Sequence, residues 1–115
     1  MNGDGFLDIV IGNSAQKNQL LLNNGSGTFL GVNSVDLPGD GYDTRSVALG
    51  DLDGDGSLDI VIGNYYAHVQ NQLLLNHGNG TFLDDDTHVL PGEDKYTRSV
   101  AVVAYQILSL AILVR

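Results

Sequence analysis

The chain of 115 residues contains no cysteine and no tryptophan, only two prolines, and only five lysines and arginines against fourteen aspartates and glutamates. Each shortage excludes something. Without cysteine there is neither a disulfide framework nor a thiolate metal site, although an extracellular location stays open. A net charge of −9 leaves no basic footprint for nucleic acid or for an anionic membrane surface. No basic or apolar leader precedes Asn2-Gly3-Asp4-Gly5, so no signal peptide is visible. There is no G-x-x-x-x-G-K-[ST] phosphate loop. Ser46 and Ser99 have no histidine at a relay position, so no catalytic constellation is expected. His68, His77 and His88 have no zinc-binding spacing, and His77 falls in a turn.

What the chain has in quantity is glycine, fifteen residues, and a repeat. Residues 2–13 match residues 53–64 at ten of twelve positions, and residues 18–30 match 71–83 at eleven of thirteen. Pro38-Gly39 recurs as Pro91-Gly92, and Thr44–Ala48 recurs as Thr97–Ala101. The period is 51 residues at first and 53 later, through a two-residue insertion in Tyr65–Gln70. This divides the chain into a first repeat at 1–43, truncated at its start, a complete second repeat at 44–96, and the start of a third at 97–115.

The centre of the complete repeat is Asp51–Asp59, D-L-D-G-D-G-S-L-D. Four carboxylates crowd one short loop, with Gly54 and Gly56 letting the backbone curl. Their mutual repulsion is relieved by a hard cation, and an all-oxygen donor set suits Ca²⁺. The expected ligands are the side chains of Asp51, Asp53, Asp55 and Asp59 and the carbonyl of Ser57. An EF-hand would need glutamate at position 12 of the loop, where Ile62 stands, and flanking helices. Here the loop runs into Asp59-Ile60-Val61-Ile62-Gly63, a β-branched strand. The expected strands of the unit are Ser46–Gly50, Leu58–Gly63, Gln72–Asn76 and a fourth beginning at Thr81–Leu83, with a tight hairpin at His77-Gly78-Asn79-Gly80. The leucine runs Leu20–Leu22 and Leu73–Leu75 face both ways, as in a sheet covered on both sides. The fold class is therefore all-β, with two four-stranded antiparallel units of the size of β-propeller blades and a calcium loop between the first and second strands.

Arg45-Ser46-Val47-Ala48-Leu49-Gly50, the Asp51–Asp59 loop, Asp59–Asn64, Asn71–Asn76 and Gly78–Phe82 together resemble the FG-GAP repeats of integrin α-subunit propellers, and more closely the VCBS-type subgroup. The resemblance covers residues 2 to about 103. It implies a blade of a β-propeller that binds Ca²⁺ between its first two strands, through Asp51, Asp53, Asp55, Asp59 and the Ser57 carbonyl. It also implies an extracellular or cell-surface adhesion or ligand-binding module whose partners are proteins or carbohydrates. The alternatives are a non-catalytic fragment of a propeller-based carbohydrate-active enzyme, such as a polysaccharide lyase, and a non-functional gene fragment.

The first copy departs from the pattern. Asn2, Asp4 and Asp8, with Phe6 at the carbonyl position, lack a counterpart of Asp51, so a weak partial site is expected, and with it a missing upstream segment or a misplaced start. The third loop is lost, because the period carries the four aspartate positions onto Ala104, Gln106, Leu108 and Ile112. The apolar stretch 100–114 is short for a membrane span, which needs about 20 residues. A frameshift or retained intron, a buried terminal strand and a tail anchor are its readings, in that order. Arg45 and Arg98 hold equivalent positions, where a structural pairing role comes before a ligand-facing one. Asp84-Asp85-Asp86 reads as a solvated connection. Tyr42, Tyr65, Tyr66 and Tyr96 lie in the variable connections that carry recognition or packing. Two blades leave apolar sheet faces bare, so self-association or further repeats are expected.

Overall fold

The computed structural model describes residues 1–27, 29, 34–39, 43–66, 69–84, 87–91, 96–105 and 108–114, those beyond Val103 as backbone path only. Tyr42, His68, Asp85, Asp86, Gly92 and Gln106 lie outside the described residues. Among the described residues nine strands follow in order: β1 Ile9–Ile11, β2 Gln19–Leu21, β3 Ser34–Asp36, β4 Thr44–Gly50, β5 Asp59–Asn64, β6 Gln72–Leu74, β7 Thr87–Val89, β8 Ser99–Tyr105 and β9 Leu108–Val114. They form three antiparallel meanders, β1-β2-β3, β4-β5-β6-β7 and β8-β9.

The first sheet thus has three strands and the second four. β1 to β3 correspond to β5 to β7. The fourth strand of the second repeat is β7, Thr87–Val89, and not the expected Thr81–Leu83. Thr81–Leu83 instead completes the turn after β6, where the His77 amide donates to the Thr81 carbonyl at 3.1 Å. β6 stops at Leu74, two residues before the expected end, because Asn76 leaves the ladder to bond the metal loop. Within the apolar stretch 100–114, β8 and β9 pair antiparallel, with Val100 opposite Leu113 and Val102 opposite Ala111. No helix among the described residues is long and apolar enough to cross a membrane.

Alternation along the strands decides how the sheets stack. β5 is buried throughout, and its alternate side chains point to opposite neighbours. Ile60 and Ile62, with Leu74 and Val47, meet Leu20, Leu22 and Val10 of the first sheet in the main core. Val61 and the two glycines of the opposite face lie towards β8. A Cβ on Gly63 would sit 3.0 Å from Val100 Cγ1, and one on Gly50 only 2.5 Å from Val102 Cγ1. Glycine is needed at both positions for close approach of the sheets, since neither has positive φ.

The two junctions are the same junction used twice. Gly12 stands against Thr44 and Val47 as Gly63 stands against Thr97 and Val100. At the first, the Asn18 side-chain amide donates to Thr44 Oγ1 at 3.0 Å, and Asn18 Oδ1 accepts from the Asn13 amide at 2.7 Å. At the second, Asn71 donates to Thr97 Oγ1 at 2.8 Å and accepts from the Asn64 amide at 2.9 Å. Backbone bonds Thr44 N to Asn13 O and Thr97 N to Asn64 O repeat as well. Each repeat therefore presents unlike faces to its two neighbours, a head-to-tail arrangement. On the free face of the first sheet lie Ile9, Ile11 and Leu21, the counterparts of the buried Ile60, Ile62 and Leu74; Ile9 is exposed and the other two are half-buried.

Asn71 and Thr97 are buried and fully bonded. Replacing Asn71 by alanine strands the Asn64 N–H and the Thr97 hydroxyl without water. Asn71→Ala is expected to destabilise the chain by about 1–3 kcal/mol, and Asn18→Ala, whose site is half-buried, by less. Urea unfolding of both variants measures the difference.

Candidate metal centre

The loop from Asp51 to Asp59 joins β4 to β5 and is folded by its own carboxylates. Asp51 Oδ1 accepts from the amides of Gly54 (2.8 Å) and Asp55 (3.1 Å), and Oδ2 from that of Gly56 (2.9 Å). Asp53 Oδ1 accepts from the Asp55 amide at 3.1 Å, and Asp55 Oδ1 from the Ser57 amide at 2.8 Å. Such turns need left-handed backbone at the residues between the aspartates. Gly54 and Gly56 supply it, at φ 80° and 89°. Aspartate at every second position is thus both the donor set and the cause of the loop's shape.

Asp59 closes the site from beneath. It is fully buried, and its two oxygens accept from the Leu52 amide (2.7 Å) and the Asn76 amide (2.9 Å). Asn76 in turn donates to the Leu58 carbonyl and accepts from the amides of Gly78 and Gly80. The metal loop and the β6 hairpin turn are therefore one hydrogen-bonded unit.

Carboxylate oxygens of Asp51, Asp53 and Asp59 all lie within 4.8 Å of one another. Oxygens around a Ca²⁺ ion at 2.3–2.6 Å are at most about 5 Å apart, so these three oxygens are close enough together to share one such ion. Of the expected side-chain ligands the structure brings these three together. Asp55 stands outside the group, its Oδ1 turned to the Ser57 amide. Ser57 is half-buried beside Gly78.

The first copy keeps the fold of the loop without the donor set. Asp4 N donates to Asn2 Oδ1 and Phe6 N to Asp4 Oδ1, matching the bonds made by Asp55 and Ser57. Gly3 and Gly5 have φ 81° and 86°. Asp8 accepts from Asn23 N, as Asp59 does from Asn76 N, and pairs at 2.5 Å with the Met1 amino group. The Phe6 ring lies over Gly25. Among the described residues, no third carboxylate joins Asp4 and Asp8.

The surroundings of the second loop act on the acidity of Asp53. The Asp55 amide pulls its acidity up, but desolvation and the carboxylates of Asp55 and Asp59 outweigh it and raise the pKa above the usual carboxylate value. A carboxylate with a raised folded pKa binds more protons folded than unfolded. The contribution of Asp53 to metal-free stability should then fall as pH rises from the unfolded value, about 3.9, through the folded one, opposite in sign to those of Asp8 and Asp43, whose pKa values are lowered. Asp53→Asn should flatten this fall and leave the metal-free chain no less stable at pH 7. Thermal unfolding in EDTA from pH 3.5 to 7 reads both slopes.

A family model described as FG-GAP-like repeat matches residues 1–62, and one described as FG-GAP repeat matches residues 44–81. Searches among curated proteins and among solved structures gave no significant match. The first model covers more than half the chain and the second spans the loop with its three converging carboxylates; the chain belongs to the FG-GAP-like repeat family.

Proposed function

We propose that the chain is a calcium-binding segment of a β-propeller that serves as an extracellular adhesion or ligand-binding module, without catalytic activity of its own. The observation that carries this reading is the convergence of Asp51, Asp53 and Asp59 within 4.8 Å in a loop already shaped by its backbone. Asp55 and the Ser57 carbonyl are the proposed remaining protein ligands. The ion would offset the charge that burdens the loop and lock it to the β6 turn through Asp59 and Asn76. An exposed site of this kind belongs with extracellular calcium modules, whose dissociation constants are about 10⁻⁴–10⁻³ M. Such a site fills only where calcium is abundant, which supports a location outside the cell. The partners proposed are proteins or carbohydrates, met on the connections at the rim.

Calorimetric titration with Ca²⁺ should show one principal site in that range, lost in Asp53→Ala and weakened in Asp55→Ala. Binding by Asp53→Ala equal to that of the parent chain would remove this loop as the metal site. At a hundredfold excess over the dissociation constant the ion should add about 2.7 kcal/mol of stability. EDTA should lower the melting temperature accordingly, and Mg²⁺ should restore it poorly because it demands a tighter octahedral shell.

The head-to-tail stacking bears on assembly. The face of Ile9, Ile11 and Leu21 is the one that the second repeat buries against the first, so it is shaped to receive another repeat. A propeller needs about four blades or more to close. The 115 residues alone are therefore proposed to self-associate through this face, or to act beside further repeats. Sedimentation velocity at micromolar concentration should show species above the monomer mass, reduced by Ile9→Lys; a stable monomer would count against a bare stacking face.

A further inference from the structure

Two of the chain's five cationic residues meet at one point on the rim of the second junction. Arg45, Tyr65 and Arg98 line a cleft of about 490 Å³. The Arg45 guanidinium lies 5.0 Å from the Tyr65 ring centre and that of Arg98 lies 5.5 Å from it, both within cation–π range. Arg98 also donates to the Tyr65 hydroxyl at 3.3 Å, and the ring of Tyr96 packs against that of Tyr65 at 4.9 Å. Concentrating cations in a chain of net charge −9 sets this spot apart from the rest of the surface.

The repeat itself supplies the template for what such an arginine binds. At the first junction Arg45 has a built-in counterion two residues earlier. Its Nε and Nη2 donate to Asp43 Oδ2 at 3.0 and 2.8 Å, and this pairing holds the Asp43 carboxyl below its usual pKa. The Ser14 hydroxyl supports the same carboxylate. One repeat later the arginine is kept as Arg98, but Asp43 is replaced by Tyr96 and Ser14 by Tyr65. Arg98 is exposed and has no carboxylate partner among the described residues. The second junction therefore retains the arginine, has tyrosine at the position of the Asp43 carboxylate, and gains two aromatic rings beside Arg98.

We infer that Arg98, with Tyr65 and Tyr96, forms a site for a ligand carboxylate borne on a compact ring, either a hexuronate sugar or a small aromatic acid. The ligand carboxylate takes beside Arg98 the place that Asp43 takes beside Arg45, and the exposed face of Tyr96 receives the ring. The surrounding negative charge disfavours polyanions, which restricts the site to ligands of single charge.

The test is NMR titration of the full calcium-loaded chain with glucuronate and with benzoate, with glucose and sulfate as controls. Millimolar binding of either acid, with shifts centred on Arg98, Tyr65 and Tyr96 and none from glucose, supports the site. Glucuronate alone assigns the sugar source, benzoate alone the aromatic one. Arg98→Gln should weaken binding about tenfold or more, the effect of losing a charged hydrogen bond. Tyr96→Asp should weaken it as much by restoring the internal counterion, with the calcium affinity of the Asp51 loop unchanged in both variants. Failure of both acids to bind, equal binding of sulfate, or undiminished binding in both variants overturns the proposal.

Discussion

The buried carboxylate of Asp59 is the interaction on which the second repeat depends. A carboxylate out of water is tolerated only where donors meet it, and Asp59 has one backbone N–H on each oxygen, from Leu52 and from Asn76. These bonds tie the start of the loop, the first residue of β5 and the turn after β6 into one piece. Asp8 does the same between Met1 and Asn23 in the first repeat. The acidic loop is thus mounted on a frame of hydrogen bonds made by the chain itself. The exposed Asp53 is then the loop carboxylate whose pKa is raised, by desolvation first and by the neighbouring carboxylates of Asp55 and Asp59 after it.

Stacking rests on a second device, independent of the first. The lack of a side chain at Gly12, Gly50 and Gly63 lets the sheets come close, and an asparagine–threonine bond closes each junction at one edge. Apolar burial alone does not set register between two flat faces. The buried polar bond does, because a shift of either sheet would leave Asn71 and Thr97 unsatisfied in the interior. This explains why the hydrophobic contacts and the polar clasp recur together at the spacing of the repeat.

Repetition also makes the differences between copies informative. Where Asp53 becomes Asn2 and the counterpart of Asp51 is absent, the loop conformation persists and the donor set does not. Where Asp43 becomes Tyr96, the arginine persists, and among the described residues it pairs with no carboxylate. In each case the backbone frame tolerates the substitution, because the glycines and the buried Asp and Asn that anchor the frame are kept.

The sequence by itself determined the repeat, the all-β class, the loop at Asp51–Asp59 and the strand that leaves it. These are local: aspartate and glycine at alternate positions dictate the turns, and an Ile-Val-Ile run dictates the strand. The asparagine–threonine clasp was legible only as a recurrence of letters, since Asn13, Asn18 and Thr44 look like ordinary turn residues until a neighbouring sheet is placed beside them. The fourth strand was misplaced at Thr81–Leu83 because that segment has strand-forming residues but must first complete the turn anchored by Asn76. Which three of the four loop carboxylates converge, which face of each sheet is covered, and the meeting of Arg98 with Tyr65 across 33 residues were decided by tertiary structure alone. They depend on distances between segments that no local propensity encodes.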